Sequence, residues 1–214
     1  MQTKDLITRL SQEAPAKSQL RSPVFFSAGL ILILTIYGVG AQIFLGSRPD
    51  LVTQFTRPLF IAEISLLTIL AMSSAIAAIL AMYPDAYQKP GLLRLPYFVF
   101  AALLALLFFE VFMPDDARMI TPPFSMAGRE CSICIAMLSF LPACLIFGVL
   151  RRGASVHPLL AGSLAVMAAA GMGCLILRLF EPNDTLAHLV TWHYMATFVF
   201  ACLGAIAGRW LLKW

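Results

Sequence analysis

Residues 58–82 read PLFIAEISLLTILAMSSAIAAILAM, an apolar run whose only charged residue is Glu63. A helix crossing lipid needs roughly 20 mostly apolar residues, because hydrocarbon offers the backbone no hydrogen-bond partner. This run is long enough, and five other stretches match it, at about residues 24–46, 95–113, 131–150, 158–180 and 189–212. The third opens at Pro96 and ends at Pro114. The chain as a whole agrees: of 214 residues 60% are hydrophobic and 12% charged, with a mean hydropathy of +0.87. Soluble domains run nearer 45–50% apolar and about 25% charged. A water-soluble globule, a disordered chain and a disulfide-stapled miniprotein are therefore excluded. A net charge of +4 is also far too small for a protein that binds nucleic acid directly by neutralising phosphates. The expected fold is all-α, a six-helix transmembrane bundle.

The chain divides into a polar tail, residues 1–23, and a six-span domain, residues 24–214. The tail lacks the short apolar core and small-residue cleavage site of a signal peptide. It holds one amphipathic segment, Asp5-Leu6-Ile7-Thr8-Arg9-Leu10, in which Leu6, Ile7 and Leu10 share one side of a helical turn. Thr3 or Asp5 suits its N-cap, and Pro15 ends it. Lys and Arg set the orientation. Lys4, Arg9, Lys17, Arg21, Lys89, Arg94, Arg151, Arg152, Arg209 and Lys213 fall on one side, against Arg48, Arg57, Arg118 and Arg129 on the other. Both termini are thus expected in the cytoplasm, and the opposite, outer face carries Asp50, Asp115, Asp116, Glu130, Glu181 and Asp184. The loops are short, the longest being Pro114–Glu130. None could house a soluble catalytic domain, so no enzymatic activity is expected.

The residues able to carry chemistry gather toward the outer side. Cys131 and Cys134 form a C-x-x-C pair at the start of the fourth span, and at i and i+3 both thiols point to one side of a helix. Such a pair suits a soft metal or a disulfide, while thiols at apolar positions also serve as small core residues. Cys144, Cys174 and Cys202 lie within spans and read as core. The sixth span opens with His188, Trp192 and His193. The histidines, five residues apart, do not stack on one α-helical face, and Trp192 suits a membrane boundary. His188 and His193 are either part of an aromatic belt or, beside Cys131 and Cys134, a metal- or proton-responsive cluster. Glu63 and Glu110 are carboxylates inside apolar spans, where an unpaired charge costs a few kcal/mol. Glu63 is expected to pair with Arg57 or reach the surface, and Arg178 to pair with Glu110 or Glu181. Gly204-x-x-x-Gly208 matches a helix-packing motif and argues for tight contact between the last two spans.

Four segments together resemble a family. They are Asp5-Leu6-Ile7 with Leu10, the turn Gly46-Ser47-Arg48-Pro49-Asp50-Leu51, Leu150-Arg151-Arg152-Gly153-Ala154 with Pro158, and Trp192-His193 with Gly204 and Gly208. In order and spacing they resemble the NrsF-type integral-membrane anti-sigma factors, which restrain extracytoplasmic-function sigma factors. The resemblance covers nearly the whole chain. It implies that the tail holds a sigma factor at the inner membrane through Asp5, Leu6, Ile7 and Leu10. It also implies outer-side cysteines that respond to heavy metals or oxidants, Cys131 or Cys134 matching the one expected at the start of the fourth span. The family has a further cysteine ahead of the acidic loop between the last two spans; the corresponding stretch here, Arg178-Leu179-Phe180-Glu181, has none.

The expected protein is an inner-membrane anti-sigma factor that frees its sigma factor when the outer face is stressed. Its partners are that sigma factor and the bilayer. No resident cofactor is expected, only a transient heavy-metal ion at Cys131 and Cys134. Two rivals stand beside this reading. A redox protein handling haem or quinone would need histidines paired across two spans. A small transporter would need midplane polar groups or broken helices.

Overall fold

The computed structural model describes residues 21–110 and 128–212, together with Asp5, which is helical and exposed. Leu6, Ile7 and Leu10, and with them the tail's expected amphipathic face, lie outside the described residues, as do Asp115 and Asp116. The described residues form an all-helical fold with six helices long and apolar enough to cross a membrane. They are α1 (Pro23–Leu45), α2 (Pro58–Ala81), α3 (Pro90–Glu110), α4 (Arg129–Leu150), α5 (Pro158–Phe180) and α6 (Leu186–Leu211). Pro23, Pro58, Pro90 and Pro158 each open a helix, where a missing N–H costs nothing and the fixed φ is already helical. Ser22 caps α1 by accepting a hydrogen bond from the Phe25 amide.

The third span begins at Pro90, ahead of the expected Pro96, which lies inside the helix and is buried. Pro90, Gly91 and Arg94 interrupt the apolar run ahead of Pro96 and hide the helix start from a hydropathy reading, yet Leu93 is buried in the core and draws the first turns inward. The sixth helix likewise starts at Leu186 rather than near residue 189, and Leu186 and Leu189 are both buried.

α5 is the centre of the bundle. It packs on α6, α2 and α4 and touches α1, while α3 lies against α2. Its inward surface is made of small residues, including Ala161, Gly162, Ala165, Ala168, Ala169 and Gly171, which admit neighbouring backbones closely. A Cβ on Gly162 would stand 2.2 Å from the Gly204 carbonyl oxygen and 2.6 Å from Gly208 Cα. Helices α5 and α6 therefore meet backbone to backbone, as the Gly204-x-x-x-Gly208 spacing implies. Opposite them, a Cβ on Gly171 would stand 3.5 Å from Ala71 Cα of α2, an ordinary van der Waals contact. Large apolar side chains instead cover the outside: Phe44, Ile43, Met137, Phe140 and Phe98 are all exposed. A belt of that size suits lipid, not water.

The two ends of the bundle differ. At the end where α1 starts and α6 finishes, called proximal below, the Ala154 amide donates to the Met82 carbonyl and ties the α4–α5 connection to the end of α2. The other, distal end holds the α1–α2 and α5–α6 connections and the buried charges.

Candidate functional site

The distal end is built around Arg178, in the last turn of α5 and fully buried. A guanidinium cannot shed its charge in proteins, so burying it demands carboxylates. Arg178 Nε and Nη2 lie 2.8 and 3.0 Å from the two carboxylate oxygens of Glu63, itself fully buried on α2. The Tyr194 hydroxyl donates to the same Glu63 carboxylate. Arg178 Nη1 reaches Asp184 at 2.7 Å, and Phe60 lies under the guanidinium with its ring centroid at 5.2 Å.

Asp184, in the α5–α6 connection, also binds Arg48 from the α1–α2 connection, with Nη1 and Nη2 at 2.9 and 2.7 Å. Arg48 in turn holds Asp50 through Nε and Nη2 at 2.7 and 2.9 Å, and Gln54 donates to both Asp50 and Asp184. The backbone turn that delivers Arg48 needs Gly46, whose φ of 86° suits glycine. The Arg48 amide then donates to the Leu179 carbonyl at the end of α5. Burial works against the Arg48 charge, but its bonds to Asp184 and Asp50 outweigh that and raise its pKa. Burial likewise pushes the Asp184 carboxyl up, and Arg48 and Arg178 bring it below the ordinary carboxylate value. One salt-bridged lattice thus joins α2, α5, α6 and both distal connections.

Beside it lies a second cluster of different chemistry. Cys131 Sγ, a Glu181 carboxylate oxygen and one ring nitrogen each of His188 and His193 all lie within 4.8 Å of one another. Glu181 is the hub. The Cys131 thiol donates to its carboxylate at 3.2 Å, His193 Nε2 lies 3.1 Å away and His188 Nε2 3.2 Å away. Burial pushes the Glu181 carboxyl up, but His193 and the other donors more than offset this and hold it below its usual value. His193 is fully buried, and its Nδ1 faces Cys174 Sγ at 4.0 Å.

The histidines meet because α6 is not α-helical where they sit. Residues Leu189–Tyr194 form a π-helical turn, in which hydrogen bonds span five residues. In an α-helix, positions five apart diverge by about 140° around the axis. Here the two imidazole rings stand 5.2 Å apart, at 65° to each other. The expectation that they do not share a face is therefore corrected, and the reason is this local widening. Ser132 of α4 donates to the Trp192 carbonyl within the turn, and the Trp192 ring packs so closely on Gly128 that a Cβ there would fall 2.1 Å from it.

Of the residues singled out in the sequence, the fold brings Cys131, His188 and His193 together. Cys134 is exposed and stands apart from them, although it is only one turn from Cys131. Cys144 and Cys202 are exposed, and Cys174 is buried. Glu63 pairs with Arg178, not with Arg57, whose guanidinium reaches Gln54. Arg178 pairs with Glu63 and Asp184 rather than with Glu110 or Glu181. The sequence reading missed Glu181 as the hub of the thiol–imidazole cluster and Arg48 and Asp184 as parts of the lattice. One signal pointed there: an arginine inside a span requires buried carboxylates nearby. The buried charged residues among those described, Arg48, Glu63, Glu110 and Arg178, all sit toward the distal end rather than stepping across the bundle.

Comparison with known proteins places the chain in a family. The family model described as "Negative regulator of sigma F" matches residues 10–214. A curated protein of Caulobacter vibrioides (strain NA1000 / CB15N), the anti-sigma-F factor NrsF, is 25% identical over 219 residues and is covered end to end, as is this chain. No solved structure matches. With a six-helix apolar bundle and a family match running through all six helices, the chain belongs to the NrsF family of negative regulators of sigma factors.

Proposed function

We propose that this protein restrains an extracytoplasmic-function sigma factor at the inner membrane and releases it when a heavy metal or oxidant acts at the distal end. The observation that carries the reading is the family match over residues 10–214. The name of the Caulobacter relative, an anti-sigma-F factor, supplies the partner class. The excess of Lys and Arg on the tail side supports cytoplasmic termini and an outward-facing distal end.

The sigma-binding element in this reading is the tail. Leu6, Ile7 and Leu10 on one side of a turn would seat in an apolar groove of a helical partner, and Asp5 beside them would select it by charge. The sensing element is the distal thiol–imidazole set, with Cys131, His188 and His193 at its centre and Cys134 as an accessible neighbouring thiol. Coupling the two requires helix arrangements that differ in affinity for the sigma factor.

The test is capture of candidate sigma factors by the detergent-solubilised full chain and by an Asp5→Ala/Leu6→Ala variant, alongside a sigma-dependent reporter in cells. The expected result is retention of one sigma factor by the wild type, loss of it by the variant, and a rise in reporter output. Capture by neither protein with a flat reporter would overturn the reading.

A further inference from the structure

We infer that Cys131, Glu181, His188 and His193 form a tetrahedral site for a divalent cation of the zinc class. The inference builds on the sensing part of the sigma-factor reading by naming the ion class and its four ligands; it is tested by metal binding to the purified chain, so its failure is distinguishable from failure of sigma-factor capture.

The donor set is the first argument. One thiol, one carboxylate and two imidazoles are all good ligands for zinc, and a thiolate with a carboxylate neutralises its double charge. Neutralisation matters here because His193 is fully buried and an uncompensated ion would be expelled. The spacing is the second argument. Zinc bond lengths of about 2.0–2.3 Å put tetrahedral ligands about 3.3–3.7 Å from one another. Contacts to the Glu181 carboxylate measure 3.1–3.3 Å, His188 on one oxygen, His193 on the other and Cys131 on both, and with one ligand atom taken from each residue all separations stay within 4.8 Å. Small side-chain rotations therefore close the tetrahedron without moving a helix.

Two further observations point to a ligand. His188 Nε2 is buried and makes no hydrogen bond among the described residues, although it lies 3.2 Å from the Glu181 carboxylate. His193 presents Nε2 to the cluster and Nδ1 to Cys174. An outer partner on the second ring nitrogen is the usual way in which a metal-binding imidazole is held. The π-helical turn has the same consequence, since it is what brings both rings to one side.

On binding, the Cys131 S–H proton passes to solvent as the sulfur–metal bond forms, and the hydrogen bond from the thiol to Glu181 is replaced by ligation of both to the ion. Occupancy would fasten the start of α4 to the α5–α6 connection and to the start of α6.

The full-length protein in detergent micelles is titrated with Co(II) as a spectroscopic probe, followed by Zn(II). One Co(II) per chain is expected, with the intense visible bands of a tetrahedral ion and a near-ultraviolet thiolate-to-cobalt band, both abolished by Zn(II). Cys131→Ser should remove the thiolate band. His188→Ala should weaken binding by about tenfold or more, and Cys134→Ser should change neither. A Co(II) spectrum identical in wild type and Cys131→Ser, or one typical of octahedral aqueous cobalt, overturns the inference. Should Cys131→Ser fail to fold, alkylation of the wild type read by mass spectrometry decides. Zn(II) must slow modification at Cys131 but not at Cys134, and equal rates with and without metal would overturn the site.

Discussion

Arg178 and Glu63 face each other through two parallel hydrogen bonds, at 2.8 and 3.0 Å, with both side chains sealed from solvent. The pair joins the end of α5 to the first turns of α2. Through Asp184 it extends to Arg48, so the two distal connections share one lattice with the bundle core. A bidentate fork of this kind sets orientation as well as distance. A buried pair need not be more stable than an apolar replacement, but it cannot lose one member alone.

Glu63→Ala should therefore destabilise the protein by about 3–5 kcal/mol, because it leaves the Arg178 charge buried without its main partner. A Glu63→Leu/Arg178→Met double variant should be much less affected than the single one. Unfolding in detergent micelles followed by circular dichroism makes the comparison. Equal losses in the two variants would show that the pair is not coupled.

The glycines divide into two groups by what surrounds them. A Cβ at Gly162 meets the Gly204 carbonyl at 2.2 Å, whereas one at Gly148 on α4 meets nothing within 4 Å. Gly162→Ala should cost at least the roughly 1–3 kcal/mol typical of overpacking. Gly148→Ala should be neutral or stabilising by about 0.5–1 kcal/mol, since alanine is the better helix former. Melting temperatures of the two variants measured side by side test the contrast.

Acid should weaken the distal end. Glu181 and Asp184 are both held below their ordinary carboxylate values in the folded protein. A group with a lowered folded pKa contributes stability above its unfolded pKa and loses it as pH falls through the folded one. The melting temperature should thus decline as the pH falls below about 4.5, near the unperturbed carboxylate values. Asp184→Asn should start from a lower melting temperature and show a shallower decline. A parallel decline in variant and wild type would exclude Asp184 as a source.

Deleting Thr191, inside the π-helical turn, should restore α-helical register through Leu189–Tyr194 and leave His188 and His193 four residues apart, about 40° from each other around the axis and still on one face. Helix content by circular dichroism and Co(II) binding should therefore both survive the deletion. Loss of Co(II) binding with helix content unchanged would mean that the wider turn sets more than the angle between the two rings.

All six spans were legible because lipid imposes one simple demand, a long apolar run, and Pro58–Ala81 and Pro158–Phe180 meet it almost to the residue. The Gly204–Gly208 contact was legible for a similar reason, since close approach requires small residues at fixed spacing. The partners of Arg178 were not, because Glu63 lies 115 residues away and only the packing of α2 against α5 brings the two together. Nor was the His188–His193 approach, since helical periodicity assumes an unbroken α-helix and nothing in Leu189–Tyr194 announces a wider turn. The separation of Cys131 from Cys134 is of the same kind. Three residues place two thiols on neighbouring sides of α4, and the position of α6 decides which one looks inward.

The backbone contact of Gly162 with Gly204 and Gly208 lies near the proximal end of α5. At 1.5 Å per residue it is about 6 Å from Pro158 but about 24 Å from Arg178. It is a pivot with very unequal arms. Any rigid tilt of α6 against α5 about that point moves the distal end about four times as far as the proximal end, and in the opposite direction. A shift at the thiol–imidazole cluster would reach the tail side geared down and inverted, as a small displacement of large leverage.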